Sequence, residues 1–144
     1  MDGTLILKRA LTGLLCTTVS RSDYLWQFTF GNRDAALNLE CPWRLLAEES
    51  IVYGYEDHGQ KFGHSEPVDG VKKTETLIAN SPVSLVEIQQ GSADLSITFE
   101  NGVRLQAFNG SSGYEGWTCA FESGLTVVAQ GGGNLTVWNP NKQV

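Results

Sequence analysis

Glu56, Asp57, His58, His64, Glu66 and Asp69 form the stretch richest in groups that could hold a metal or move a proton. Two histidines six apart match neither a helical nor a hairpin ligand pair, so no metal site is expected. Gly59 and Gly63 mark a flexible polar loop. An enzyme built here would use His58 with the neighbouring carboxylates as general acid and base. Cys41 with His58 offers a nucleophile–base pair. Yet Cys41 follows Leu37 and Leu39 in an alternating pattern and precedes Pro42, which reads as a buried strand residue.

Two glycine-rich stretches invite other chemistry. Asn109–Trp117 reads NGSSGYEGW. A nucleophile elbow needs Gly-x-Ser-x-Gly, and around Ser112 the second glycine is missing. The stretch is expected to be a wide turn with Tyr114 and Trp117 folded over the core edge, or else a recognition surface using Tyr114, Glu115 and Trp117, since exposed Tyr and Trp make good interface anchors. Gln130-Gly131-Gly132-Gly133-Asn134 precedes Leu135-Thr136-Val137-Trp138, a strand pattern. A phosphate cradle needs a helix there, so a hairpin turn is expected. No catalytic residue, cofactor or metal is assigned.

Charge points to a partner. The net charge of the 144-residue chain is −6, which disfavours nucleic acid and anionic membranes, since both select basic surfaces. Between Glu48 and Asp69 stand six acidic residues (Glu48, Glu49, Glu56, Asp57, Glu66, Asp69) and one basic residue, Lys61, giving −5. A concentrated negative field favours a basic protein partner. Glu48, Glu49, Glu56, Asp57, His58, Tyr114, Glu115 and Trp117 are therefore the candidate binding residues. A second reading is a small-molecule pocket between two halves of the chain, lined by Trp26, Phe28, Trp43 and Trp117.

Period-two patterns supply the elements that would position these groups. Trp26–Phe30 alternates apolar with polar, and so does Leu95–Phe99. Upstream, Leu14, Cys16 and Val19 pair with Val83, Leu85 and Ile88. Downstream, Leu37, Leu39 and Cys41 pair with Val103, Leu105 and Ala107. Ile51, Tyr53 and Tyr55 pair with Trp117, Cys119 and Phe121. Asp2 and Asp69 suit helix N-caps, and Gly13 and Asn80 suit the left-handed residue beyond a helix end. Short helices are expected at 4–12 and 71–79, although Thr4–Leu7 reads equally as a strand. Asn101-Gly102 signals a two-residue hairpin. A further hairpin is expected over 125–138, and Asn139-Pro140-Asn141 reads as the end of ordered structure. The fold class is thus α+β, with mostly antiparallel sheet. Two tandem helix-plus-meander pseudo-repeats, 2–57 and 69–123, are expected to pack into one domain (1–144), with the helices on one face. Free edge strands can pair across a homodimer.

Cys16, Cys41 and Cys119 lack any CxxC spacing and read as reduced thiols of a cytoplasmic protein. Leu14-Leu15-Cys16 faintly matches a lipoprotein cleavage site, but Lys8 and Arg9 interrupt the apolar run, and Leu15 stands where a small residue is needed. No spanning helix is expected. Glu40–Leu45 (ECPWRL), Asp57–Gln60 (DHGQ) and Ser111–Trp117 (SSGYEGW) together resemble a family of small uncharacterised bacterial proteins. In general style the chain is similar to the immunity proteins encoded beside bacterial toxins, which implies a non-catalytic binding role.

Overall fold

The computed structural model describes residues 1–140; Asn141, within the expected terminus of ordered structure, lies outside the described residues. Both helices start as their capping residues dictate. The Asp2 carboxylate accepts from the N–H groups of Thr4 and Leu5 and opens α1 (Gly3–Leu11). Asp69 accepts from Lys72 N–H and opens α2 (Gly70–Ile78). Each thereby satisfies donors that a helix end leaves unpaired. Past the helix ends, Gly13 and Asn80 take the left-handed conformation, with φ of 89° and 56°. Thr4–Leu7, which reads equally as a strand by pattern, is helical. Each helix buries one stripe of period four: Gly3, Leu7 and Leu11 in α1, and Gly70, Thr74 and Ile78 in α2.

The described residues also form eleven strands: β1 (Cys16–Ser22), β2 (Leu25–Phe30), β3 (Ala35–Leu39), β4 (Trp43–Ala47), β5 (Ser50–Gly54), β6 (Val83–Ile88), β7 (Leu95–Phe99), β8 (Arg104–Ala107), β9 (Trp117–Phe121), β10 (Thr126–Ala129) and β11 (Leu135–Trp138). They form two antiparallel sheets, one ordered β1-β2-β3-β9-β10-β11 and the other β5-β4-β8-β7-β6. The fold class is α+β, dominated by sheet. Alternation sets the inward faces. Trp26, Phe28 and Phe30 of β2, Leu37 and Leu39 of β3, Ile97 and Phe99 of β7, and Trp43 and Leu45 of β4 all join one buried cluster. The sheets meet through aromatic edges: the Trp26 and Trp43 rings lie 4.9 Å apart at 75°, and those of Phe28 and Trp43 lie 5.2 Å apart at 87°. Such edge-to-face contacts stabilise beyond the area they bury.

The strands of each half are divided between the sheets. β1–β2–β3 begins one sheet and is completed by β9, β10 and β11 from the later half. β6–β7–β8 begins the other and is completed by β4 and β5 from the earlier half. Strand order alone does not establish a copied unit, and the expected pairing of residues changes. Leu39 faces Trp117 across β3 and β9, while Ala107 faces Trp43 across β8 and β4. The topological counterpart of Trp117–Phe121 is therefore Trp43–Ala47, not Ile51–Tyr55. The helices also depart from expectation, since they do not share one face. α2 packs beside the edge strands β1 and β5, and α1 beside the edge strands β6 and β11. Sheets with open sides expose their apolar interior there, and an amphipathic helix on each side covers it. Between β7 and β8, only Gly102 has positive φ, at 90°. Asn101 instead accepts from Val103 N–H through its side chain, and its own N–H donates to the Ser81 hydroxyl oxygen at 2.8 Å.

Candidate functional site

The strand registers gather six loops at one end of the paired sheets: 23–24, 40–42, 55–69, 89–94, 108–116 and 130–134. Three of them pack backbone against backbone. A Cβ at Gly131 would stand 2.4 Å from the Gly113 carbonyl carbon, and Gly132 N–H donates to Ser111 O at 2.8 Å. A Cβ at Gly133 would meet Gly91 O. Gly116, Gly131 and Gly133 therefore serve close approach, since a Cβ on any of them would collide with a neighbouring loop or side chain. They form neither a nucleophile elbow nor a phosphate cradle, and the 130–134 loop joins two strands as expected. Asn109 locks the cluster: its side-chain amide donates to Ser92 O at 2.9 Å and to Gln130 O at 3.0 Å.

Trp117 is not the surface anchor expected from sequence. It is 1% exposed, and its Nε1 donates to Ala93 O at 2.8 Å. Tyr114, by contrast, is 83% exposed, and Glu115 is exposed beside it. Trp43, the counterpart of Trp117, is equally buried, but its Nε1 has no hydrogen-bond partner among the described residues. The same holds for the Tyr53 hydroxyl and for Thr74 Oγ1. Trp26, Phe28, Trp43 and Trp117 are all core side chains. The pocket expected between the halves is filled by their rings.

The cleft lies beside that core instead. About 500 Å³ opens between the loops at 21–24, 40–42 and 55–58, lined by Arg21, Asp23, Tyr24, Trp26, Glu40, Cys41, Pro42, Tyr55, Glu56 and His58. Trp26 forms its inner wall, with the His58 ring 6.2 Å away at 84°. Arg21 holds its guanidinium 5.4 Å from the centre of the Trp26 ring and donates from Nη2 to Asp23 O at 3.0 Å. Tyr24 projects at the rim, 93% exposed. A larger hollow of about 750 Å³ lies on the outer face of the β1–β2–β3–β9 sheet. Threonines and alanines make up half its lining, with Arg33, Phe121 and Glu122 among the rest, and none of the binding residues expected from sequence lies on it.

The acidic residues divide. Glu56 lines the cleft, and Asp57 closes the turn beside it by accepting from Gly54 N–H at 2.9 Å. Glu48 and Glu49 form the β4–β5 turn, with φ of 50° and 66°, and stand near Arg104 at the far end of the sheet. The sum of −5 read along the sequence is thus not one surface. Sequence reasoning missed Asp23, Tyr24, Glu40 and Tyr55 as cleft residues, because they come from three loops that only the β1–β2 and β3–β4 turns bring to the 55–58 segment.

His58 and Cys41 do share the cleft, but neither is set for nucleophilic chemistry. His58 Nδ1 accepts from Gly70 N–H at 2.9 Å, fastening the loop to the start of α2. Burial pushes the Cys41 thiol up to about 12, above the range of a reactive thiolate. Cys16 and Cys119 are raised to about 12 by the same cause, and all three cysteines are free. Among the described residues, no group of three or more His, Cys, Asp or Glu side chains could hold a metal ion. Among the described residues, no helix is long and apolar enough to cross a membrane. Comparison with protein-family models, curated proteins and solved structures gives no match. The site is therefore read from its own geometry.

Proposed function

We propose that this is a non-catalytic domain that binds another protein through its loop-bearing end. The observation that carries the reading is the set of large aromatics held in solvent there: Tyr24, Phe62 at 66% exposure, and Tyr114. Burying an exposed aromatic is normally favourable, and Tyr in particular anchors interfaces at low entropic cost. Acidic Asp23, Glu40, Glu56, Glu66 and Glu115 are exposed on the same loops, which suits a basic partner. An immunity-type inhibitor of a basic toxin, acting in the cytoplasm, is one form such a domain takes.

The test is affinity capture with the wild-type chain and with Tyr24→Ser, Phe62→Ser and Tyr114→Ser variants. One partner should be retained by the wild type, lost from the variants at unchanged Tm, and released by raised salt. A partner held equally by all four proteins counts against the surface. The second reading, a small-molecule site, moves from the filled space between the sheets to the cleft at Trp26. It predicts a ligand that perturbs Trp26 with no macromolecule present.

A further inference from the structure

We propose that the cleft receives an arginine side chain of the partner protein, its guanidinium lying on Trp26 among the carboxylates of Asp23, Glu40 and Glu56. This rests on the protein-binding reading and names what that surface recognises. The lining carries three carboxylates against one guanidinium, a balance of −2 with His58 neutral. No ion pair within 4.0 Å joins those carboxylates to a cation among the described residues. The Trp26 ring, Tyr24 and Tyr55 supply the aromatic faces on which a planar guanidinium stacks better than a compact ammonium.

The molecule already shows the contact. Arg21 places its own guanidinium over Trp26, and the ring is only 3% exposed. Arg21 is exposed, and its side chain makes a single hydrogen bond, to Asp23 O. It therefore acts as an internal competitor: an incoming arginine takes the ring face as Arg21 swings out, and the freed Arg21 remains in solvent. The Glu40 and Glu56 carboxylates, on two other loops, are positioned for the incoming group.

The test is NMR titration of the full-length chain with acetyl-Gly-Arg-Gly-amide, alongside its lysine and citrulline counterparts. The arginine peptide should shift the Trp26 indole N–H and the amides at Glu40 and Glu56, with a Kd on the order of 1 mM for so small a ligand. The lysine peptide should bind more weakly, and the citrulline peptide should leave these signals in place. Joint Glu40→Gln and Glu56→Gln substitution, at two exposed positions, should weaken binding about fivefold. Arg21→Gln should tighten it about threefold, because a competitor and a like charge are removed. Equal binding of the citrulline peptide, an unchanged Kd in the double variant, or no tightening in Arg21→Gln overturns the proposal. If the peptide fails while partner capture still depends on Tyr24, Phe62 and Tyr114, the cleft assignment falls alone. If capture fails as well, the protein-binding reading falls with it.

Discussion

Gly70 and Tyr53 press on the same point from two elements. A Cβ on Gly70 would stand 2.0 Å from the Tyr53 hydroxyl and 2.9 Å from the Trp26 ring. Gly70→Ala should therefore destabilise the fold by about 3 kcal/mol, the cost of overpacking a rigid core. Tyr53→Phe should be neutral, or stabilise by about 1 kcal/mol, because the lost hydroxyl has no partner. It should also relieve part of the Gly70→Ala penalty, which a double-mutant cycle from urea unfolding would measure. Equal penalties in both backgrounds would count against this contact. The buried thiols make a second prediction at this scale. Cys16, Cys41 and Cys119 are raised from 9.0 to about 12, and Tyr53 from 10.0 to about 12, mainly by desolvation. Groups whose folded pKa is raised hold their protons more tightly when folded. Their stabilising effect is complete below the unfolded pKa and is lost as pH climbs toward 12. The urea midpoint should hold steady between pH 7 and 8.5 and fall progressively from about pH 9. A flat profile to pH 11 would contradict the burial of these thiols. The alternating pattern foretold that burial for Cys41, while for Trp117 it left a core-edge place and a surface anchor both open. Flanking Gly116, Tyr114 and Glu115 gave Trp117 the appearance of a loop residue, whereas its indole reaches inward to a carbonyl contributed by Ala93.

Among the elements, α2 carries a polar residue where α1 carries an apolar one. Leu7 and Thr74 are the middle residues of the two buried stripes, and the Thr74 hydroxyl is unpartnered. Thr74→Val keeps the branched shape and removes the hydroxyl, so it should raise stability by about 1 kcal/mol. A loss of stability, read by thermal melting, would show that the hydroxyl is satisfied in solution. Helix placement was legible because Asp caps and left-handed Gly13 and Asn80 leave a strong local signal. The strands β2 and β7 were legible for a different reason: each alternates without interruption. β4 was not, because its pairing with β5 shifts register between Leu45 and Leu46, and these two consecutive leucines are both buried. One irregularity of that kind erases a period-two pattern five residues long. Missing β4 in turn misplaced the counterpart of β9.

For the molecule as a whole, the site was less legible than the fold. Charge summed along the sequence merged Glu48 and Glu49 with Glu56, although the length of β4 separates them. The cleft depended on turns at 23–24 and 40–42 whose mutual approach has no local signature. The loop from 59 to 67 is exposed and polar, which makes it a tolerant place to divide the chain. Fragments 1–62 and 63–144, expressed together, should reassemble into a complex with the near-ultraviolet dichroism of the intact protein. Each alone should aggregate or stay unfolded, since it lacks strands of both sheets. A folded, soluble fragment would contradict the division of strands described above. That division also has a cost in time during synthesis. While the polypeptide leaves the ribosome, the β3 edge stands unpaired until residues near 121 have emerged, some eighty positions later. Until then a sticky ribbon is open to neighbouring nascent chains, so slow translation of the second half should make the protein depend more on chaperones.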